Sequence, residues 1–416
     1  MISAPTKPRP RHNQPLTFGR DHHLRRKLFT EESFQHKARV NLYWLAWLLH
    51  QHIPPTTTVL DPMGGVGSVL LAAITFRAVI TGDIEPHWAT IQAANARRIQ
   101  HEQLFKAPTI TCQWDAAKLP LPTASIPAII TSPPYFDLFS NWNRKHGTDF
   151  DGNPDHIGET GLCYGFHPHQ VGNIHIYENY LRAMREIYRE CWRVLVPGGK
   201  FILIVGDKVR KRRVVPVTRD AQTLCQANGF RLITQHQRRT IPSHFRLIHL
   251  TKNGTDYPLI NIETALVLEK FFRIPYYYSI IEAPKPNSQP GQQLLHKQLA
   301  YARAISKPML GAARIRILSD KGILCPGHTP NAVWSGDHPR KARTRREWAY
   351  SIVADLVTKH GLTAGAHVDL HVTDRYARYL QQRLNTLGAR CSIPTAHCNL
   401  GQKLAWYTQA LKGNTP

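Results

Sequence analysis

The sequence predicts an α/β protein: a doubly wound, mainly parallel β-sheet followed by a smaller α/β unit. Two observations support this fold class. Short apolar or β-branched runs that suit buried strands alternate with longer stretches in which apolar residues recur at helical spacing. Several of the strand-like runs end at an acidic residue and are followed by a glycine turn, or by a proline that can open a helix.

The 416-residue chain is strongly basic, with 53 lysines and arginines against 28 acidic residues and a formal net charge of +25. An excess of this size suits a polyanionic partner, and nucleic acid is the simplest one. Hydrophobic residues make up 42% of the chain, which is typical of a globular protein rather than a disordered one.

The cysteine and hydropathy patterns narrow the class of protein further. The seven cysteines are scattered with no Cys-x-x-Cys pair, so they indicate neither a disulfide framework nor a zinc ribbon, and we predict no bound metal. No apolar run is long enough to cross a bilayer, and the N-terminus lacks the apolar core of a signal peptide. We therefore expect a cytoplasmic protein without membrane contact.

Changes in composition divide the chain into four segments. Residues 1–30 are rich in proline, arginine and histidine and predict a flexible basic arm. Residues 31–283 contain the alternating strands and helices of the large sheet. Residues 284–296, rich in proline, asparagine, serine and glutamine, predict a linker, and residues 297–416 predict the smaller α/β domain, whose role is unknown.

The predicted elements follow in chain order. A helical pattern runs from residue 31 to 49 and ends before Pro54 and Pro55. Strands are predicted near residues 57–60, 78–84, 109–114 and 128–130, with helices after the first two. A helix at 177–195, a strand at 200–205, a helix at 217–227 and strands at 230–233 and 265–268 complete the sheet. The smaller domain has predicted strands at 314–318 and 368–372 and helices at 344–359, 375–387 and 401–411.

Three carboxylates close three successive predicted strands: Asp61, Asp83 and Asp115. The carboxyl ends of parallel strands meet at one edge of the sheet, where such sheets bind ligands. Asp61 would repel a pyrophosphate but suits a cationic amino-acid group, while Asp83 can accept from ribose hydroxyls and Asp115 from an adenine amine. Gly65 and Gly67 let a ligand approach the backbone closely. Together they predict a pocket for an adenosyl cation that carries an amino acid.

The fourth predicted strand leads into Thr131-Ser132-Pro133-Pro134-Tyr135. Consecutive prolines cannot donate ladder hydrogen bonds, so the strand ends there and the chain continues as a stiff, extended turn. This geometry presents a hydroxyl, a backbone carbonyl and an aromatic ring at the same sheet edge. Alone, the stretch is equally well interpreted as an ordinary proline-rich loop, but its place after the three carboxylates favours a functional role.

These motifs resemble those of the DNA amino-methyltransferases, the N4-cytosine and N6-adenine methylase family. The segment from Asp61 to Ser68 is similar to their cofactor motif, and residues 80–86 are similar to their ribose-binding segment. The segment from Thr131 to Tyr135 resembles their catalytic tetrapeptide with its preceding threonine. The resemblance covers residues 34–270 and implies a seven-stranded, Rossmann-like fold of the S-adenosylmethionine-dependent methyltransferases.

The resemblance also implies a cofactor, S-adenosylmethionine, and the residues that bind it. His36 lies where the family often has a segment that flanks the methionine end of the cofactor. Met63 replaces the usual aromatic residue of the cofactor motif, and Lys37 replaces a common proline after the histidine. The cofactor-binding residues implied by the resemblance are His36, Asp61, Met63, Gly65, Gly67, Asp83 and Asp115.

The catalytic residues implied are Ser132, Pro133, Pro134 and Tyr135. An exocyclic amine is a poor nucleophile while its lone pair is delocalised into the base. The Ser132 side chain and the carbonyl that precedes Pro134 can accept both amino hydrogens, and Tyr135 can stack on a base flipped out of the duplex. Serine in the first position is similar to the N4-cytosine branch. Site-specific N4 methylation of cytosine in DNA is therefore favoured, and N6 methylation of adenine stays open.

Two basic segments flank the predicted sheet, and we favour phosphate contact over a solvated charge run as their role. They comprise Lys208, Arg210, Lys211, Arg212, Arg213, Arg238 and Arg239. Residues 136–174, directly after the catalytic motif, predict a lid or a groove-reading loop. The predicted partner is double-stranded DNA, and the family resemblance also suggests a companion restriction endonuclease of a restriction-modification system.

Two other functions compete with DNA methylation. The guanosine-amino methylases of tRNA use a similar Pro-Pro-Tyr element, but they usually carry an added RNA-binding domain. The N-terminal part of this sequence shows no pattern of such a domain. A non-catalytic nucleic-acid-binding protein would predict damage at Asp61, Gly65, Ser132 or Tyr135, and all are intact. The C-terminal pattern around residues 317–324 and 346–349 is similar to an uncharacterised α/β domain of prokaryotic and viral proteins, which brings no known activity.

Overall fold

The computed structural model describes residues 14–36, 39–75, 77–136, 165–210, 213–240, 260–271, 277–282, 289–306, 313–319, 322–324 and 342–411. The chain forms two compact units, Met1–Cys225 with Phe230–Phe271, and Gln226–Gly229 with Phe272–Pro416. Each unit is built on a β-sheet of its own.

The strands of the first unit define its fold class. In chain order they are β1 (Val59–Asp61), β2 (Val79–Asp83), β3 (Thr109–Gln113), β4 (Ile126–Thr131), β5 (Leu195–Val205), β6 (Lys208–Arg210), β7 (Arg213–Val215), β8 (Phe230–Arg239) and β9 (Ile262–Lys270). Seven of them form one sheet in the order β3-β2-β1-β4-β5-β9-β8, while β6 and β7 pair with each other. Strands β1 to β5 are all parallel, and β9 is antiparallel to both of its neighbours, β5 and β8. The predicted mainly parallel, Rossmann-like methyltransferase sheet is confirmed.

Helices cover this sheet, and their ends follow from the local sequence. They are α1 (His22–Leu28), α2 (Leu42–His52), α3 (Leu71–Ile74), α4 (Pro86–His101), α5 (Tyr177–Val194) and α6 (Val217–Ala227). Asn41 caps α2 by accepting the Trp44 N–H at 3.0 Å. Pro86 occupies the first turn of α4, where a missing N–H costs nothing. The helical pattern predicted from residue 31 to 49 is interrupted: a 3₁₀ turn at Glu31–Gln35 precedes α2.

Residues 14–30 pack against the first sheet and its helices, which corrects the prediction of a flexible arm over residues 1–30 for this part of it. Residues 1–13 lie outside the described part of the chain. Leu16 pairs with the edge strand β8 by donating its N–H to Gln237 and accepting from Arg239. Leu16, Phe18 and Leu28 are buried in the same apolar core as α2. The apolar side chains of this segment therefore anchor it, although its overall composition is basic and proline-rich.

The second unit has a five-stranded sheet. Its strands are β10 (Tyr277–Glu282), β11 (Ala313–Ser319), β12 (Gly322–Leu324), β13 (His367–His371) and β14 (Arg390–Ser392). They are ordered β12-β11-β10-β13-β14, and among them β12 is the antiparallel strand. Its helices are α7 (Gln289–Ser306), α8 (Ala342–Thr358), α9 (Asp374–Thr386) and α10 (Leu400–Leu411). This is a mainly parallel α/β arrangement, and the sequence predicts an α/β unit here.

The boundary between the units differs from the predicted one. Strand β10 lies within the predicted first domain of residues 31–283, yet it pairs with β11 and β13 of the second sheet. Its residues Tyr278, Ile280 and Ile281 are fully buried there, which explains why it belongs to that core. Helix α7 begins at Gln289, inside the predicted linker of residues 284–296. The proline and glycine of this stretch lie in the first turn of the helix, where proline is tolerated.

The side chain of Asn95 on α4 joins the N-terminal segment to the glycine turn after β1. Its amide oxygen accepts from the Thr30 N–H at 2.8 Å, and its amide nitrogen donates to the Val66 carbonyl at 2.7 Å. We expect Asn95→Ala to lower the free energy of unfolding by roughly 1–3 kcal/mol, because both backbone groups lose a buried partner. Urea denaturation measures this loss, with Arg97→Ala on the exposed face of the same helix as the control. Equal stabilities of the two variants would contradict the role of Asn95.

Candidate active site

The predicted cofactor and catalytic motifs converge at one edge of the first sheet. Asp61 is the last residue of β1, Asp83 the last of β2 and Thr131 the last of β4. These three strands are parallel neighbours, with β1 between β2 and β4. Because the connections run in opposite directions from β1, its carboxyl end is a topological switch point, where open α/β sheets bind ligands.

A tight glycine turn connects β1 to the next helical turn. Gly65 and Gly67 have φ angles of +52° and +80°, a region that favours glycine. A Cβ on Gly64 would lie 2.1 Å from the Thr81 hydroxyl oxygen, so that position also requires glycine. The turn is held by the Gly64 N–H, which donates to the Gly82 carbonyl at 2.8 Å, and by Gln92, whose Nε2 donates to the Gly65 carbonyl at 2.8 Å.

Asp83 lies under this turn, and both of its carboxylate oxygens accept hydrogen bonds from the backbone. The Gly65 N–H donates to Oδ2 and the Glu85 N–H to Oδ1, each at 3.0 Å. The predicted ribose-binding residue therefore also fixes the shape of the turn. Each carboxylate oxygen has a second lone pair, so these bonds leave acceptor capacity for a ligand hydroxyl.

His36 and Met63 flank the same turn. The Nε2 atom of His36 lies 3.1 Å from the position that a Cβ on Gly65 would occupy, and its ring packs edge-on against Trp88 with centroids 4.6 Å apart. The Met63 N–H donates to Oδ1 of Asp61 at 3.2 Å. The structure thus places His36 beside the predicted cofactor motif, 29 residues before Gly65 along the chain.

Burial dominates the electrostatics of the two inner carboxylates. It raises the pKa of Asp61 to about 7, with the charge of Asp83 adding to the shift and the Thr131 hydroxyl and Met63 N–H opposing it. Burial likewise raises the pKa of Asp83 to about 6, against the hydrogen bonds that it accepts from backbone N–H groups. Without a positive group nearby, this edge of the sheet holds its negative charge poorly.

The third predicted carboxylate, Asp115, lies two residues beyond the end of β3. Its Oδ1 accepts the Ala117 N–H at 2.8 Å, and its Oδ2 is 2.9 Å from Nδ1 of His169. His169 belongs to a segment that the sequence interpretation treated only as part of a loop. This contact brings that segment to the place predicted for an adenine amine.

Glu85 anchors this segment and was not predicted as a site residue. Its buried carboxylate accepts from the Phe166 N–H at 3.1 Å, the His167 N–H at 2.9 Å and Nε2 of Gln170 at 3.1 Å. The sequence signal was present, since Glu85 follows Asp83 directly beyond β2, but its partners are more than 80 residues away along the chain. Of the loop predicted over residues 136–174, residues 137–164 lie outside the described part.

The Ser132–Tyr135 segment is fixed from two sides. The Tyr180 hydroxyl on α5 donates to the Pro134 carbonyl at 3.0 Å, and the Tyr135 hydroxyl donates to Oε1 of Glu263 on β9 at 3.0 Å. Ser132 is half-buried at the mouth of the strand end. The predicted catalytic residues therefore lie next to the cofactor motif, on the β4 side of the switch point.

The predicted phosphate-contacting residues have different environments. Lys208 donates to the Phe136 carbonyl at 2.6 Å, directly after the Ser132–Tyr135 segment. Arg238 is not in a loop but within β8, and its guanidinium pairs with Glu263 at 2.8 Å. Arg213 and Arg239 are exposed. Lys211 and Arg212 lie outside the described residues, as does the side chain of Arg210.

The described residues contain no group of three or more histidine, cysteine or acidic side chains arranged to hold a metal ion. No helix within this part of the chain is long and apolar enough to cross a membrane.

Several of the solved structures that align with this chain are named as methyltransferases. An S-adenosylmethionine-dependent methyltransferase from Methanosarcina mazei aligns at 12% identity and a TM-score of 0.34 over 54% of this chain and 98% of its own. TrmN from Thermus thermophilus aligns at 15% identity and a TM-score of 0.35 over 58% of this chain and 52% of its own. The chain therefore spans about half of the length of TrmN. Geranyl diphosphate C-methyltransferase from Streptomyces coelicolor A3(2) aligns at 13% identity and a TM-score of 0.32 over 55% of this chain and 75% of its own. Because these values are low, we take the fold class from the strand order of the sheet itself.

The C-terminal unit matches a family model described as a family of unknown function (DUF6884) over residues 293–409. This agrees with the predicted resemblance of this domain to an uncharacterised one. No curated protein matches the chain.

The raised pKa of Asp61 predicts a pH-dependent stability. The folded state retains a proton that the unfolded state loses above about pH 4, so this group favours folding at low pH and the effect is lost as pH rises through about 7. We expect the free energy of unfolding of Asp61→Asn, without cofactor, to rise by roughly 2 kcal/mol relative to that of the unsubstituted protein as the pH increases from 5 to 8. Urea denaturation at each pH measures this difference.

The comparison with Asp61→Asn is needed because His52 shifts stability in the opposite direction. Burial lowers the pKa of His52 to about 4, so the folded state binds fewer protons there and gains stability as pH rises through the ordinary histidine range. A constant difference between Asp61→Asn and the unsubstituted protein across this pH range would contradict a neutral, buried Asp61.

Proposed function

We propose that this protein is an S-adenosylmethionine-dependent methyltransferase that methylates an exocyclic amino group of a base in double-stranded DNA, with N4 of cytosine favoured over N6 of adenine. The observation that carries the proposal is the juxtaposition of Ser132–Tyr135 with the Asp61–Gly67 turn across the switch point of the sheet. A methyl donor and an amine acceptor bound at these two places would meet at one sheet edge.

The residues at the ends of β1 and β2 fit the proposed cofactor. A buried carboxylate with a raised pKa, such as Asp61, calls for a cationic group beside it. Gly65 and Gly67 bring no side chain of their own to the turn, His36 lies against Gly65, and Asp83 has acceptor capacity for ribose hydroxyls. His36 and Met63 would line the methionine side, and Asp115 the adenine side. S-adenosylmethionine would supply a methyl group on a positively charged sulfur, and the neutral thioether that remains is a good leaving group.

The acceptor residues would activate and orient the amine. The Ser132 hydroxyl and the carbonyl that precedes Pro134 can each accept one amino hydrogen, which concentrates electron density on the nitrogen. Tyr135 would stack on the flipped base, whose extrusion costs a few kcal/mol. Positioning and exclusion of water would supply most of the acceleration. The serine, rather than an aspartate or asparagine, at the first position supports cytosine as the base.

The net charge of +25 supports a polyanionic substrate. Among the predicted phosphate contacts, Arg213 and Arg239 are exposed, which fits that role. A companion restriction endonuclease is part of the same proposal, because site-specific DNA methylation of this type protects DNA from such an enzyme.

Methyl transfer tests the proposal directly. We expect the full-length protein to transfer tritiated methyl groups from S-adenosylmethionine to duplex DNA, with N4-methylcytosine as the product in nucleoside analysis. Ser132→Ala should reduce turnover by about 100-fold or more, since it removes an acceptor needed in the transition state, while its affinity for the cofactor stays unchanged. Label in tRNA alone would contradict DNA as the substrate, and N6-methyladenine would contradict cytosine.

The affinity for S-adenosylmethionine should depend on pH. A bound cation favours the ionised form of Asp61, so binding strengthens and releases a proton as pH rises from 6 to 7.5 across the pKa of about 7. Titration calorimetry in buffers with different ionisation enthalpies measures the proton release. Asp61→Asn should bind more weakly and without proton release. Proton-independent binding by the unsubstituted protein would contradict this electrostatic role.

A further inference from the structure

We propose that Glu263 is a positioning residue that sets the orientation of the Tyr135 ring in the acceptor site, with Arg238 holding Glu263 in place. This inference rests on the proposed function, which makes Tyr135 the residue that stacks on the substrate base. Glu263 lies 128 residues from Tyr135 along the chain and belongs to β9, the strand that is antiparallel to β5.

The first step is the bond between the two side chains. The Tyr135 hydroxyl donates to Oε1 of Glu263 at 3.0 Å. A hydrogen bond to a carboxylate is stronger than one between neutral groups. The hydroxyl oxygen of a tyrosine lies on the χ2 axis, so a bond that fixes this oxygen restrains χ1 and with it the direction in which the ring extends.

The second step is the position of Glu263 itself. Its other oxygen, Oε2, accepts from Nη2 of Arg238 at 2.8 Å and from Nε at 3.1 Å. Arg238 and Glu263 are directly opposite each other in the β8–β9 pairing, and both side chains are only 12% exposed. The carboxylate therefore cannot turn away from Tyr135 without breaking an ion pair that is largely shielded from water.

The third step concerns the backbone on both sides of Tyr135. The Pro134 carbonyl accepts from the Tyr180 hydroxyl at 3.0 Å, and the Phe136 carbonyl accepts from Nζ of Lys208 at 2.6 Å. The bond from the Tyr135 hydroxyl to Glu263 adds a fixed point at the far end of the ring. Stacking on a flipped base depends on where that ring extends, so Glu263 would act on the reaction through Tyr135.

The chain offers a matched control on the same strand. Glu269, also on β9, forms ion pairs with Lys200 at 2.6 Å and with Arg231 at 2.8 Å. Glu269→Ala therefore removes a carboxylate of the same kind from the same sheet without touching Tyr135. Both glutamate variants should lose some thermal stability, and both should keep their affinity for S-adenosylmethionine.

Kinetics with duplex DNA separate a positioning role from a structural one. We expect Glu263→Ala and Tyr135→Phe each to lower kcat by about 10-fold or more, as the loss of a hydrogen bond to a charged group allows, with KM for DNA changing less. The double variant should lose no more than Tyr135→Phe alone. Glu263→Gln, whose amide oxygen can still accept from Tyr135, should recover part of the loss. Independent, multiplicative losses in the double variant, or an equal loss in Glu269→Ala, would overturn the proposal.

A second measurement needs no substrate. 3-Fluorotyrosine incorporated at position 135 reports the surroundings of the ring through its 19F NMR signal. We expect Glu263→Ala to move this signal towards that of a solvent-exposed tyrosine, and Glu269→Ala to leave it in place. An unchanged signal in Glu263→Ala would overturn the positioning role. If the signal moves but the unsubstituted protein methylates neither DNA nor RNA, the proposed function fails while the positioning of Tyr135 by Glu263 stands.

Discussion

The first unit depends on a glycine-rich backbone turn, residues 64–68, that is held by hydrogen bonds from neighbouring elements. Its N–H and carbonyl groups are buried beside β2 and α4, where each unpaired group would cost a large part of the net stability. Side chains from those two elements satisfy them: Asp83 accepts the Gly65 N–H, and Gln92 and Asn95 donate to the carbonyls of Gly65 and Val66. Asn95 also links this turn to the N-terminal segment, because its amide oxygen accepts the Thr30 N–H.

This way of holding the turn has an electrostatic consequence. The carboxylates that shape the site lie out of water, and burial raises the pKa of both Asp61 and Asp83. A protein selected for stability alone would replace them with neutral side chains, because a buried carboxylate without a cation is costly. Two such groups at adjacent strand ends fit the positively charged cofactor that we propose for this site. The same burial explains why a nucleotide pyrophosphate is a poor candidate for this position.

The parts of the site that could be predicted from the sequence are those encoded in short contiguous segments. The strand that ends at Asp61, the glycine turn after it and the Ser132–Tyr135 turn each follow from neighbouring residues and the limits on proline and glycine. Glu85, Tyr180 and Glu263 could not be found in this way, because their partners lie 46 to 128 residues away. The basic N-terminal segment was misjudged for the opposite reason: its composition conceals Leu16, Phe18 and Leu28, which pack in the core.

The net charge of the chain does not identify the residues that would contact a polyanionic partner. Arg238 belongs to a basic pair that would be expected to contact phosphate, yet its guanidinium is largely shielded and paired with Glu263. Lys208, from the other basic segment, donates to the backbone beside the catalytic motif. Both cations therefore act inward, on the segment that would receive the base. We expect their substitution to change the geometry of the proposed acceptor site, whereas the proposed phosphate contacts of the exposed Arg213 and Arg239 would contribute a salt-dependent attraction.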